Sequence, residues 1–174
     1  MNEQKAYQNT HIIAIKQIEA VKELDTKLVK DGKKLEFGSY YRTRARTMAS
    51  MVYEIGLLST LSYLYTKATK DTYDRVVKAT KPGTNTIDPQ LLKDEQQNYP
   101  SIEEIAHAVY LNHILTYISS QLARDGQEKD PLGLLKTLAE NPIELRVAEA
   151  LLKPYLMELK HLAEAVLEEK ERET

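Results

Sequence analysis

The sequence predicts an all-α protein, a single compact helical bundle of about six helices with a long buried central helix. Apolar residues recur at intervals of three and four over long stretches, and none of these stretches shows the strict alternation of a half-buried strand. The six glycines and six prolines lie mostly between these stretches and mark their ends. With 174 residues, of which 42% are hydrophobic, the chain can bury a core large enough to fold without disulfides. We therefore expect one helical domain over residues 1–174.

The first helix is expected to begin near Thr10 and to end at Gly32, since glycine favours the left-handed conformation of a helix stop. Its apolar residues follow the helical interval and are Ile15, Ile18, Val21, Leu24 and Leu28. A basic turn over residues 31–34 then leads to the second helix.

The second helix is predicted from about Gly38 to Lys67 and is expected to be the long buried element. Between Met48 and Tyr65, apolar side chains occur on every side of the helix, which is typical of a helix surrounded by others. Gly56 lies in its interior, where glycine costs about 1 kcal/mol relative to alanine. We expect a neighbouring helix to cross close to the backbone at this glycine.

A short helix and a long loop are expected next. The helix is predicted from about Asp71 to Thr80. Glycine, proline, asparagine and aspartate are then frequent from residue 81 to residue 100, a composition typical of turns. This segment is predicted to be an exposed loop that separates the two halves of the chain.

Three helix starts carry explicit signals in the second half. Residues 101–104, Ser-Ile-Glu-Glu, form a capping box, and the helix that follows is expected to run to residues 125–126. Asp130-Pro131 and Asn141-Pro142 each place a capping residue before a proline at the first helical position. The last helix is expected to extend toward residue 170, with Pro154 bending or dividing it.

The charges are unevenly distributed along the chain. The formal net charge is −2, but residues 1–81 contain 15 Lys and Arg against nine Asp and Glu, a net charge of +6. Residues 82–174 contain nine basic and 17 acidic side chains, a net charge of −8. The chain therefore divides into a basic half (1–81), the loop (81–100) and an acidic half (101–174). Such a split suggests a surface for a polyanion, unless helix packing brings the two signs together.

Composition and motifs argue against several function classes. The sequence has no cysteine, which excludes disulfides, thiolate metal sites and a cysteine nucleophile. It contains no glycine-rich phosphate loop, dinucleotide fingerprint or nucleophile elbow, so we expect no enzymatic activity, no cofactor and no small-molecule substrate. No apolar run approaches the roughly 18 residues of a membrane span. We expect a cytoplasmic protein without a membrane partner.

Two Glu-x-x-His motifs raise one alternative, a dimetal carboxylate protein. Glu104 and His107 share a helical face, as do Glu158 and His161, and paired motifs of this kind bind two metal ions in some helical bundles. His107 is predicted to face inward. His161 lies about 140° from the centre of the apolar stripe of its helix, which favours a solvated side chain. We therefore predict no metal site, with His107 partly buried.

The candidate binding surface is basic and lies around both ends of the second helix. Arg42 and Arg46 share one face at i and i+4, while Arg44 projects roughly opposite. Guanidinium groups at the solvent end of a buried helix suit bidentate contact with phosphates, although an ordinary charged helix end is the alternative. The predicted RNA-binding residues are Lys33, Lys34, Arg42, Arg44, Arg46, Lys67, Lys70, Arg75 and Lys78.

Two segments resemble a known family. Residues 48–64, MASMVYEIGLLSTLSYL, resemble the central helix of the small subunit of type III-B CRISPR effector complexes, the fifth protein of the Cmr set. Residues 146–165, RVAEALLKPYLMELKHLAEA, look like the C-terminal helix of that family. The length and the all-helical layout also agree. The small subunit of the related type III-A (Csm) complex is the nearest alternative.

The resemblance implies a non-catalytic subunit of an RNA-guided antiviral complex that cleaves RNA. Family members are compact helical bundles that stack in several copies beside the backbone subunits, along the guide RNA and its target RNA. The implied partners are therefore other Cmr subunits, further copies of the chain and these two RNAs. Gly56 and Leu57 carry over as structural positions, and the family pattern supplies no catalytic residue.

Overall fold

The computed structural model describes residues 3–122 and 130–169. Within these ranges the chain forms seven α-helices, one short hairpin and one turn of 3-10 helix. The helices are α1 (Glu3–Lys27), α2 (Phe37–Ile55), α3 (Leu57–Ala68), α4 (Lys70–Ala79), α5 (Ile102–Gln121), α6 (Pro131–Glu140) and α7 (Pro142–Val166). Strands β1 (Val29–Lys30) and β2 (Lys33–Lys34) form the hairpin. The predicted all-α class is confirmed, and no helix in the described ranges is long and apolar enough to cross a membrane.

Both ends of the first helix differ from the prediction, because α1 begins at Glu3 and ends at Lys27, where a hairpin follows. Strands β1 and β2 are antiparallel, with Val29 opposite Lys34. Asp31 and Gly32 form the connection with φ angles of 52° and 75°. Two consecutive residues of positive φ favour the tight turn whose twist matches that of paired strands. Gly32 therefore turns a hairpin and does not stop a helix.

The predicted second helix is two helices, divided at Gly56. This glycine has φ 84° and ψ 167°, a backbone conformation that is essentially restricted to glycine. The predicted close helix crossing is wrong, because a Cβ placed on Gly56 would meet nothing nearer than Glu149 Oε1 at 3.8 Å. The same carboxylate oxygen accepts a hydrogen bond from Leu57 N at 3.1 Å and so caps the start of α3. Gly56 is required by the break in the helix and not by tight packing.

The long buried helix of the bundle is α5, not the segment around residues 48–65. Every residue from 105 to 115 is buried, on all sides of the helix. Helices α2, α3, α4 and α7 all pack against α5. In contrast, Tyr53 and Ile55 near the end of α2 are 58% and 50% exposed. Apolar side chains on every side of a helix therefore predict its burial correctly for α5. They do not for the end of α2, which is exposed.

The segment between α4 and α5 is more ordered than the predicted exposed loop. Thr80 forms an isolated antiparallel bridge with Ile87, and the 3-10 turn follows at Pro89–Leu92. Ile87 and Leu92 are both buried in the core. These two apolar side chains attach the predicted exposed loop to the bundle, while the other residues from 81 to 100 are exposed or half-buried.

The helices of the second half start where predicted, although Asp130 and Asn141 make no side-chain capping hydrogen bond. Ser101 Oγ accepts a hydrogen bond from Glu104 N at 3.2 Å, and α6 and α7 begin at the predicted prolines. Helix α7 continues through the exposed Pro154 to Val166, so this proline does not divide it. Helices α5 and α7 end at Gln121 and Val166, before the predicted ends at residues 125–126 and 170, which themselves lie outside the described residues.

The centre of the bundle contains tyrosines that are bonded to other buried polar groups. Tyr155 is fully buried, stacks on Tyr117 with 3.9 Å between ring centroids, and donates a hydrogen bond to Gln17 Oε1. The hydroxyl of Tyr41 is 2.7 Å from His113 Nδ1. Burial lowers the pKa of His113 to about 3, so its imidazole is neutral at physiological pH. These bonds satisfy polar groups that would be costly if left unpaired in the core.

Candidate nucleic-acid interface

The three arginines of α2 lie on two faces of the helix, as their spacing predicts. Arg42 and Arg46 face the end of α7, while Arg44 faces α5. The two faces differ in the groups that surround the guanidinium ions. The predicted basic surface is therefore divided into parts with different electrostatic character.

Arg42 and Arg46 form ion pairs with the acidic end of the chain, and we call these residues, with Glu164 and Glu169, the C-terminal ion-pair cluster. Arg46 Nε is 2.9 Å from Glu164 Oε1, and Arg46 Nη1 is 3.5 Å from Glu169 Oε1. Arg42 Nη2 is 3.8 Å from Glu169 Oε2. The hydrogen bond from Arg46 lowers the pKa of the Glu164 carboxyl group. These carboxylates offset the charge of both arginines.

Arg42 also has a structural role at the end of α7. Its Nη1 donates a hydrogen bond to the carbonyl oxygen of Leu167 at 3.2 Å, and the side chain is only 17% exposed. A cation at a helix C-terminus also interacts favourably with the helix dipole. Arg42 therefore holds the last turn of α7 against α2, and this role competes with any role in binding phosphate.

The lysines of the hairpin differ in their partners. Lys34 Nζ is 2.7 Å from Asp25 Oδ2 and 4.0 Å from Glu168 Oε2, and the hydrogen bond with Asp25 raises the pKa of Lys34. Lys33 is exposed and forms no ion pair within the described part of the chain. Both lysines line an open groove of about 450 Å³ together with Tyr40 and Ile102. Of these two lysines, Lys34 is held by Asp25, so Lys33 is the one whose charge is not offset by an ion pair in the described residues.

The predicted residues of α4 form local pairs on an exposed surface. Lys70 pairs with Asp74 and Arg75 pairs with Asp71, each one turn apart on the helix. Lys78 is exposed and, in residues 3–122 and 130–169, has no ion-pair partner. Exposed pairs of this kind are worth little and are weakened by salt. A phosphate can therefore compete for Lys70 and Lys78 more easily than for Arg42, whereas Arg75 is half-buried and also donates to the carbonyl oxygen of Leu92 at 3.4 Å.

Arg44 lies in a different environment, which we call the Arg44 cluster and define as Arg44, Tyr63, Lys67 and His107. Arg44 Nη1 donates to His107 Nε2 at 3.1 Å. The ring of Tyr63 is 6.2 Å from that of His107, and Lys67 Nζ lies 5.8 Å from the Tyr63 ring centroid. Burial is the main cause that lowers the pKa of His107, and the charges of Arg44 and Lys67 add to it. His107 was not among the predicted RNA-binding residues, because its inward position suggested packing alone.

The structure does not bring the two Glu-x-x-His motifs together. Glu104 Oε2 accepts a hydrogen bond from the Thr72 hydroxyl at 3.3 Å, and Glu158 Oε1 is 2.8 Å from His11 Nδ1. His107 is buried beside Arg44, while His161 is exposed. Among the residues that the structure describes, no group of three or more His, Cys, Asp or Glu side chains could hold a metal ion.

The fold and its surface define a small all-α protein that presents charged helix faces around a buried central helix. The chain is 30% identical over 138 residues to the CRISPR system CMR subunit Cmr5 of Saccharolobus solfataricus, a match that covers 74% of this chain and 79% of the relative. The chain therefore belongs to the Cmr5 family. This relationship confirms the resemblance noted in residues 48–64 and 146–165, and it favours the Cmr family over the Csm alternative. No family model matches the sequence.

Two solved structures have the same fold. A chain of the type III-B Cmr-beta complex bound to non-cognate target RNA superposes with a TM-score of 0.66 and 20% identity, over 95% of this chain and 97% of that chain. A chain of the same type of complex bound to cognate target RNA and AMPPnP gives a TM-score of 0.65 and 20% identity, over 96% and 99% of the two chains. The fold therefore extends over nearly the whole chain in both cases.

Proposed function

We propose that this protein is a non-catalytic small subunit of a type III-B CRISPR complex in the cytoplasm. It stacks in several copies along the guide RNA and the target RNA and contacts their phosphates through basic side chains. Membership of the Cmr5 family is the observation that carries this proposal. The fold shared with a chain of RNA-bound type III-B complexes supports it.

The surface charges agree with binding that does not depend on base sequence. Lys33, Lys67 and Lys78 are exposed and have no ion-pair partner in the described ranges, so their ammonium groups are available to phosphates. Contacts of this kind position a protein on RNA without reading its sequence. They weaken at high salt, because binding releases the counterions condensed on the RNA and added salt opposes this release. Several copies along one RNA add many weak contacts, so each copy needs little affinity of its own.

The two buried histidines support a structural role. His107 and His113 both have hydrogen-bond partners within the protein, and the pKa of each is lowered by burial. The Tyr41 hydroxyl beside His113 is itself fully buried, so a substrate could not reach it as covalent catalysis requires. In this proposal, cleavage of RNA belongs to other subunits of the complex.

Reconstitution of the complex with and without this chain tests the proposal. We expect the complete complex to protect a longer stretch of target RNA from nuclease than the complex that lacks this chain, because the missing copies would leave phosphates uncovered. The isolated chain, incubated with the same RNA and Mg²⁺ or Mn²⁺, should leave the RNA intact. Equal protection by both complexes, or cleavage by the isolated chain, would contradict the proposal.

A further inference from the structure

We infer that Arg44 and Lys67 form an RNA phosphate site, and that the buried His107 is the residue that positions Arg44 in it. This inference rests on the proposed function and specifies which of the basic residues make the contact. It also assigns a role to His107, a residue that the distribution of charges along the sequence gives no reason to select. The ligand class is a phosphodiester of the RNA backbone.

The first step is that Arg44 is held in place without losing its charge. His107 Nδ1 donates to the carbonyl oxygen of Glu103 at 2.7 Å, which leaves Nε2 as the acceptor of the hydrogen bond from Arg44 Nη1 at 3.1 Å. Burial keeps the pKa of His107 below its ordinary value, so the ring stays neutral. A neutral acceptor fixes the guanidinium group and leaves its full positive charge for an anion.

The second step is the contrast with the other two arginines of α2. Arg42 and Arg46 are held by carboxylates in the C-terminal ion-pair cluster, so an incoming phosphate must displace a negative group. No carboxylate in the described residues is within ion-pair distance of Arg44 or Lys67. A phosphate therefore gains a charge-assisted bond at Arg44 without an exchange of partners.

The third step is that the surroundings of Arg44 supply a second cation. Lys67 is exposed on α3, and its Nζ lies 5.8 Å from the centroid of the Tyr63 ring, which lies 6.2 Å from the His107 ring that accepts from Arg44. His107 contacts Arg44 from α2, Tyr63 from α3 and the carbonyl oxygen of Glu103 from α5, and Lys67 adds a positive charge to these surroundings. A planar guanidinium group and a mobile ammonium group suit the oxygens of one or two adjacent phosphates.

The test compares Arg44→Gln with Lys136→Gln in the reconstituted complex, with the affinity for a fluorescent target RNA measured from 50 to 300 mM KCl. Arg44→Gln is expected to reduce the slope of log affinity against log salt by about 0.7 to 0.9 for each copy of the chain. Lys67→Gln should have a similar effect. Lys136→Gln removes an exposed cation of α6 that lies outside the predicted RNA-binding residues, so this control should leave the slope unchanged. Thermal unfolding of each variant shows whether the fold is retained.

His107→Gln tests the positioning role through a double-mutant cycle. It should weaken RNA binding several-fold when Arg44 is present and have no further effect in the Arg44→Gln background. A purely structural role would give the same loss in both backgrounds and would overturn the assignment of His107. Equal slopes for the Arg44→Gln and wild-type complexes would overturn the phosphate site alone. A chain that does not enter the complex would overturn the proposed function and this inference together.

Discussion

Replacing Tyr155 by alanine is expected to lower the free energy of unfolding by about 3–5 kcal/mol, the range for deletion of a large buried aromatic ring. Tyr155 is fully buried on α7, and its ring stacks on Tyr117 of α5. Its hydroxyl donates to Gln17 of α1. The substitution would leave a cavity where three helices meet and would also leave a buried acceptor without its donor. Urea unfolding followed by circular dichroism measures the change.

Two further variants distinguish the contribution of the Tyr155 ring to stability from that of its hydroxyl, and from the effect of removing any tyrosine. Tyr155→Phe keeps the ring and removes only the donor to Gln17, so we expect a loss of about 1–3 kcal/mol. Tyr53→Ala removes a tyrosine that is 58% exposed and that contacts Lys153, and it should cost less than about 1 kcal/mol. If Tyr155→Ala were no more costly than Tyr53→Ala, the central position of Tyr155 in the core would be wrong.

Replacing Gly56 by alanine is expected to lower the free energy of unfolding by about 1–3 kcal/mol. The cause is backbone strain, because φ 84° with ψ 167° is unfavourable for any residue with a Cβ. Steric contact contributes little, since the nearest atom to an added Cβ is 3.8 Å away. The same urea unfolding experiment measures the loss.

The sign of the Gly56→Ala effect distinguishes a broken helix from a continuous one. In a continuous helix, alanine would be more favourable than glycine by about 1 kcal/mol and the variant would be more stable. Ser59→Ala, at an exposed position of α3, is the matched control and should change stability by less than about 0.5 kcal/mol. A stabilised Gly56→Ala variant would therefore contradict the division between α2 and α3.

Local signals in the sequence predicted the fold class and the starts of the later helices. Ser101, Pro131 and Pro142 act within a few residues of themselves, through a capping hydrogen bond or a fixed φ angle, so their effect does not depend on the tertiary structure. The approximate bounds of α4 follow in the same way from its short apolar pattern.

The identity of the central helix could not be predicted, because burial depends on which elements pack around a helix. Residues 48–65 and residues 105–115 are both rich in apolar side chains on all sides. Only the second set is buried at every position, whereas the first set includes the exposed Tyr53 and Ile55. The break at Gly56 is equally ambiguous, since a glycine in an apolar stretch is compatible with a close crossing, a kink or a chain break.

The candidate site could be predicted in part. Spacing along α2 separates Arg44 from Arg42 and Arg46, which the structure confirms. The partners of these arginines lie 63 to 125 residues away along the chain, beyond the reach of any local pattern. The opposite charges of the two halves, which suggested separate surfaces, meet in the C-terminal ion-pair cluster. As a result, the guanidinium group of Arg44 is paired with a neutral imidazole, whereas that of Arg46 is paired with carboxylates.

The most direct test of the proposed role is affinity purification of the tagged chain from the cells that naturally express it, with the associated proteins identified by mass spectrometry and the RNA by sequencing. We expect the other Cmr subunits and a guide RNA derived from a CRISPR repeat array to copurify, with the chain present in more than one copy per complex. Recovery of the chain without Cmr subunits and without guide RNA, or with Csm subunits in their place, would contradict the assignment to a type III-B complex.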